Sequence, residues 1–168
     1  MFKVERFQCW KEEEMKDRLA PLINEPVEIR YQKLKNVLKE HKIRVSHQRL
    51  LILDYLLCND THPTADEIFQ NLKLKDPVLS QATVYNTLNL FVDHNLISEL
   101  DFNQPSKRYD FYRFHHSHFL CESCGKIIDL DIDEEDLRFK ELEGYKIDTI
   151  EVIVRGVCPD CQEDEESI

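Results

Sequence analysis

Residues 80–112 read SQATVYNTLNLFVDHNLISELDFNQPSKRYDFY, and the hydrophobic period changes midway along the stretch. Ser80 is a favoured helix N-cap residue, its hydroxyl suited to accept from an early helical amide. Beyond it, Val84, Leu88 and Phe91 fall on one side of a helix, and Ala82, Tyr85, Asn86 and Asn89 fall on the other. LISELDF and RYDFY then read as two strands, joined by the turn residues NQPSK.

Working upstream, three further helices precede this unit. Tyr31, Leu34, Val37, Leu38 and His41 recur three or four apart and predict a helix over about residues 28–42, with its lysines outward. Ser46 caps a second helix, with Leu50, Leu51, Leu53, Leu56 and Leu57 as the buried stripe. Thr64 and Glu67 make a capping box before Ile68, Phe69 and Leu72. Small helices followed by a hairpin predict a winged-helix DNA-binding domain over residues 27–112. Residues 1–26 read as an irregular extension.

Downstream the pattern is strand (HSHFLC), turn (ESCG), strand (KIIDLDI), helix (EEDLRFKELEG) and strand (KIDTIEVIVRG), closed by a second cysteine pair. The class is α+β, with residues 113–168 expected to form a small α/β domain ending in an acidic tail.

Charge is divided in the same way. Of the net −11, residues 113–168 carry −10 and residues 27–112 carry none, while residues 30–49 hold a local +6. That patch, which includes Lys33 and Lys39, suits DNA phosphates, although a solvated helix face would show the same pattern. No apolar run approaches the roughly 20 residues that span a bilayer. The first residues, MFKVERFQCWKEEEMKDRL, match neither a secretory signal nor a transit peptide, so a cytoplasmic location without membrane contact is expected.

Cys121-x-x-Cys124 and Cys158-x-x-Cys161 can each present two thiolates to one tetrahedral ion, and Gly125 suits a turn that aims amides at sulfur. In a reducing compartment this favours structural zinc over disulfides. A thioredoxin-like redox pair needs a helix starting at the motif, and only seven residues follow Cys161. A zinc deaminase needs His-x-Glu and a proline ahead of its pair, whereas here the motif is His116-x-His118 and Pro159 lies inside the pair. No enzyme is expected. His116 and His118 share a strand face, and Asp110 and Asp129 are nearby carboxylates in the chain.

Six ordered motifs then carry a resemblance. They are His62-Pro63-Thr64-Ala65-Asp66, Ala82-Thr83-Val84-Tyr85, Arg108-Tyr109-Asp110, His116-x-His118, Cys121-x-x-Cys124-Gly125-Lys126 and Gly156-Val157-Cys158. The chain resembles the ferric uptake regulator (Fur) family over about residues 28–162. Asp129 after Cys-Gly-Lys and Asn86 after Ala-Thr-Val-Tyr are similar to the peroxide-sensing branch, where iron-uptake members usually carry Glu and Arg. Ser117 and Ile150 depart from the family, standing where aspartate and histidine are common.

The resemblance implies that residues 113–168 serve dimerisation and metal binding, with structural zinc on Cys121, Cys124, Cys158 and Cys161. It also implies a regulatory Fe(II) or Mn(II) site of His62, Asp110, His116, His118 and Asp129, with His62 or His116 as the residue oxidised by peroxide. The expected function is a homodimeric, metal-dependent repressor of a palindromic, A/T-rich operator; an iron- or zinc-uptake regulator is the alternative. Ala82, Tyr85, Asn86 and Asn89 would face the bases, and Lys107 and Arg108 with Lys33 and Lys39 would hold phosphates.

Overall fold

The leucine-rich stretch LLILDYLL, residues 50–57, becomes the centre of the first unit. Its helix is buried nearly all round at Leu50, Leu51, Ile52, Leu53, Leu56 and Leu57, a fuller burial than a single stripe. In this computed structural model, residues 20–111, 117–130, 132, 139–147, 150 and 152–165 are described. The chain falls into two units, Met1–Phe114 and His115–Ile168. Among the described residues, no helix is long and apolar enough to cross a membrane.

In the first unit, α1 spans Val27–Glu40, α2 His47–Cys58, α3 Ala65–Lys73 and α4 Gln81–Asp93. A short 3-10 turn, Ala20–Asn24, precedes them. Side chains cap three of the four helices as their residue types demand. Ser46 accepts from the Arg49 amide, Ser80 accepts from the Thr83 amide, and Thr64 and Glu67 form both halves of a capping box. On the cationic first helix, Arg30 is paired with Asp54 of α2 and also donates to the Glu25 carbonyl, which ties α1 to the central helix. Phe91, Leu88 and Val84 of α4 are fully buried in the core, while the side carrying Ala82, Tyr85, Asn86 and Asn89 is exposed.

The hairpin follows directly. Strands β1 (Ile97–Leu100) and β2 (Arg108–Phe111) pair antiparallel, with Ile97 opposite Phe111 and Leu100 opposite Arg108. The strands are shorter than the apolar alternation suggested because the turn begins at Asp101. The Asp101 carboxylate accepts from the Asn103 amide, and Asn103 lies at φ +57, a conformation asparagine tolerates.

The second unit holds a three-stranded sheet in the order β4-β3-β5. Strand β3 (Ser117–Cys121) lies between β4 (Ile127–Leu130), which is antiparallel to it, and β5 (Ile153–Gly156), which is parallel. Two expectations change here. Residues 133–138 of the anticipated helix lie outside the described residues, and the part from Phe139 forms only a 3-10 turn, Lys140–Leu142, before Gly144 at φ +86. Among the described residues, the last strand spans Ile153–Gly156. A helix not anticipated from the sequence, α5 (Pro159–Glu165), starts inside the second cysteine pair. Its proline occupies the first helical position, where the missing N–H has no intrahelical partner to lose.

Replacing Thr64 by Ala removes half of the capping box. The substitution is expected to lower unfolding stability by about 1 kcal/mol, read as a shift of the urea midpoint at unchanged slope.

Candidate metal centres and DNA-reading face

The four cysteine sulfurs lie within 4.8 Å of one another. Cys121 ends β3, Cys124 sits in the following turn, Cys158 follows β5 and Cys161 lies in α5. Gly125, at φ +74, lets the knuckle close through its amide onto the Cys121 carbonyl at 2.9 Å. Cys124 and Cys158 Sγ are 3.8 Å apart, and the Cys158 amide donates to Cys121 Sγ at 3.3 Å. Zinc–sulfur bonds of about 2.3 Å in a tetrahedron place sulfurs about 3.8 Å apart, so the cluster fits zinc.

The electrostatics agree with a cation site. Amides of Cys124 and Cys158 hold the Cys121 thiol down at about 6. At Cys161 the Ser123 hydroxyl favours the thiolate, but contacts with the Cys158 and Cys124 sulfurs, together with burial, push the thiol up to about 12. Thiolates packed this closely resist sharing negative charge, a conflict that a divalent ion removes. The helix at Pro159 overturns the premise that a redox pair would lack one. Convergence of the second pair on Cys121 and Cys124 is what favours a metal over dithiol chemistry.

The regulatory candidates divide between the units. In the first, His62 is buried in the loop between α2 and α3, at φ +50. This conformation is strained for a side chain other than glycine and persists because its surroundings hold it. The Tyr109 amide donates to the Pro63 carbonyl at 3.0 Å, Thr64 bridges to Arg108, and the Arg108 guanidinium donates to the His62 carbonyl at 3.3 Å. Docking residues 62–64 on β2 brings His62 Nε2 to 3.8 Å from the buried Asp110 carboxylate.

In the second unit, His118 and Asp129 stand directly opposite in the β3–β4 register, with Nε2 and Oδ1 3.8 Å apart. Metal bonds of about 2.1 Å put two donors on one ion between about 3 and 4.2 Å apart, and both pairs fall in that interval. His116 lies outside the described residues.

The exposed face of α4, the candidate reading face, also has structure that the amphipathic pattern did not reveal. Asp66, in the first turn of α3, accepts from Gln81 Nε2 at 2.6 Å and from the Tyr85 hydroxyl at 3.4 Å. Gln81 is four residues before Tyr85 and shares its side of α4, a periodic signal obscured by its place beside the cap. Lys107 is paired with Glu99, and Lys33 with Glu25 at 3.3 Å. Such exposed pairs are weak and exchangeable for phosphate. Lys39 is exposed in the last turn of α1. Arg108 is committed differently, reaching the His62 carbonyl and Glu67 with a side chain only 20% exposed. Its guanidinium ties the ligand loop to β2.

A model of the ferric uptake regulator family matches residues 40–155. The chain belongs to that family. It is 40% identical over 131 residues to the "Peroxide operon regulator" of Bacillus subtilis (strain 168), a match covering 76% of this chain and 90% of that protein. It is 38% identical over 129 residues to the "Peroxide-responsive repressor PerR" of Staphylococcus aureus (strain Mu50 / ATCC 700699), covering 75% and 87%. Among solved structures, the ferric uptake regulator of Helicobacter pylori, described as having three functional metal binding sites, is similar with a TM-score of 0.68 at 29% identity, over 82% of this chain and 95% of that one. The Vibrio cholerae regulator gives 0.63 at 27%, over 74% and 98%. Membership in the Fur family accounts for the helical unit, the sheet unit and the cysteine cluster together.

Replacing Cys121 by Ser is expected to abolish the zinc content of the purified protein, measured by elemental analysis. The same variant should lose the cooperative unfolding of the sheet unit.

Proposed function

We propose that this chain is a cytoplasmic, homodimeric, metal-dependent repressor that senses peroxide, acting as a regulator and not as an enzyme. The observation that carries the reading is the pairing, in each unit, of a buried histidine with an aspartate at metal-donor spacing: His62 with Asp110, and His118 with Asp129. Relatives named a peroxide operon regulator and a peroxide-responsive repressor support it, as do Asn86 and Asp129, the residues that resemble the peroxide-sensing branch.

In this reading His62 and Asp110 from the helical unit, with His116, His118 and Asp129 from the remainder of the chain, hold one Fe(II) or Mn(II) ion, while the four cysteines hold zinc. Imidazole and carboxylate donors suit the former ions, and thiolates suit zinc. Bound iron supplies the redox reactivity toward peroxide. The protein's part is to keep His62 buried and close to Asp110, so that its imidazole is in reach of that chemistry. One oxygen atom from peroxide is inserted at an imidazole carbon of His62 or His116, and the other leaves as water. A near-complete switch between DNA-binding and released states requires the ion to prefer the binding state by about 5 kcal/mol.

The exposed face of α4 reads an A/T-rich operator in the major groove, with Asn86 and Asn89 suited to adenine and Ala82 to a thymine methyl. A palindromic operator follows from a twofold dimer, whose half-sites lie about one helical turn apart or a multiple of it. The sheet unit supports self-association. Phe119 is flanked in register by Ile128 and Val154, which are 41% and 43% exposed, leaving an apolar row on one face of the sheet. A second copy is the occupant that would bury this row and present two reading helices together.

Two outcomes test the reading. Operator binding in a gel shift should require Mn(II) or Fe(II), and Asp110→Ala should lose that dependence while keeping its zinc. Peroxide should release only the Fe(II) form and leave a one-oxygen mass increment on a peptide containing His62 or His116; release without it sinks the sensing mechanism. Separately, Val154→Glu should shift the protein toward monomer in sedimentation and weaken operator binding at least ten-fold, because a charge placed in the apolar row opposes its burial.

A further inference from the structure

The Asp66 carboxylate is misplaced for a DNA-binding surface unless it has a specific task. It stands beside the first turn of α4, the part of a reading helix that approaches base edges, and a negative charge there opposes the attraction of phosphates. Its partners suggest the task. One oxygen accepts from Gln81 at 2.6 Å and from Tyr85 at 3.4 Å, fastening two exposed side chains of one helix face to a single point on α3.

The chemistry of that contact is directional. A carboxylate accepts hydrogen bonds and cannot donate, whereas the two ends of a glutamine amide differ. The NH2 group of Gln81 must therefore turn to Asp66. One of its N–H bonds is taken by Asp66; the second N–H and the carbonyl oxygen remain available. An acceptor beside a donor is the combination that glutamine uses to pair with adenine at N6 and N7. An unheld glutamine would present its amide in either sense and would have to be ordered at the moment of binding, at an entropic cost.

We infer that Asp66 is a positioning residue for sequence reading: it sets the sense of the Gln81 amide, so that Gln81 selects adenine in each half-site. The inference rests on α4 being the DNA-reading helix, as proposed above. It adds a contact between two side chains on different helices that neither the cap nor the amphipathic pattern of α4 requires. Asp66 begins four residues after His62 in the same capped turn, so the element that carries a candidate metal ligand also holds the reading side chain.

The test is selection of duplexes from a randomised library by the Mn(II)-loaded dimer, for wild type, Gln81→Ala, Asp66→Ala and the double variant. Wild type should enrich adenine at one position of each half-site. Each single variant should lose roughly ten-fold of that preference at that position alone, and the double variant should be no worse than Gln81→Ala. Binding of Asp66→Ala to an unrelated duplex should be unchanged or tighter, since a negative charge has been removed, whereas damage to folding would weaken all DNA binding together. The inference is overturned if Asp66→Ala keeps the adenine preference, if its effect persists undiminished in the Gln81→Ala background, or if preference is lost at every position. Should wild type itself enrich no sequence, the DNA-reading assignment fails, and this contact fails with it.

Discussion

The short antiparallel contact between residues 62–64 and the start of β2 is the constraint on which the first unit's function depends. Two main-chain contacts and the Arg108 guanidinium hold the His62 backbone in a conformation that an L-residue avoids by itself, and the result is a buried imidazole beside a buried carboxylate. The same few residues cap α3 through Thr64 and Glu67, and Glu67 closes the circuit at 3.5 Å from Arg108. The ligand loop, the wing and the helix that buttresses the reading helix are thus one hydrogen-bonded assembly. A displacement at His62 is opposed by contacts to the wing and to α3, which suits a sensor whose output is the position of those elements.

The sheet unit solves a different problem. Its strands are four or five residues long, its two cysteine pairs are separated by more than thirty residues, and much of its apolar surface is exposed. A core of this size gives limited hydrophobic stabilisation, so a four-thiolate ion that ties β3 to the end of β5 substitutes for missing burial. Gly156 belongs to the same economy of space. A Cβ there would come within 3.3 Å of the Phe119 ring, so the glycine next to the second cysteine pair keeps room for the aromatic on the exposed face.

Most of the helical unit was legible because its signals are local. Caps at Ser46, Thr64 and Ser80 announce helix starts within three residues, and the change from a 3.6-residue to a 2-residue period marks the wing. The sheet unit was less so. Among the described residues of the stretch expected as one long strand, Ile153–Gly156 form the strand, and α5 gives no sequence signal because seven residues dominated by acidic side chains carry no apolar period; the helix is set by Pro159 and by the chain's return to the cysteine cluster. The contact of Arg108 with the His62 carbonyl is hidden for a related reason. A cation in a wing reads as a phosphate grip, and nothing in the local sequence discloses a carbonyl forty-six residues earlier.

By itself, the amino-acid sequence determined the order of the four helices and the hairpin in the first unit and the existence of two thiolate pairs, because spacing and residue chemistry are properties of the chain read in one dimension. Tertiary structure alone decided which donors meet within each unit, that His62 is held at positive φ, that Arg108 reaches the His62 carbonyl and that Asp66 accepts from Gln81. Each of these depends on a contact between segments whose separation in sequence carries no periodic signal, and only the packing of helices and strands around a shared core brings such segments within hydrogen-bonding distance.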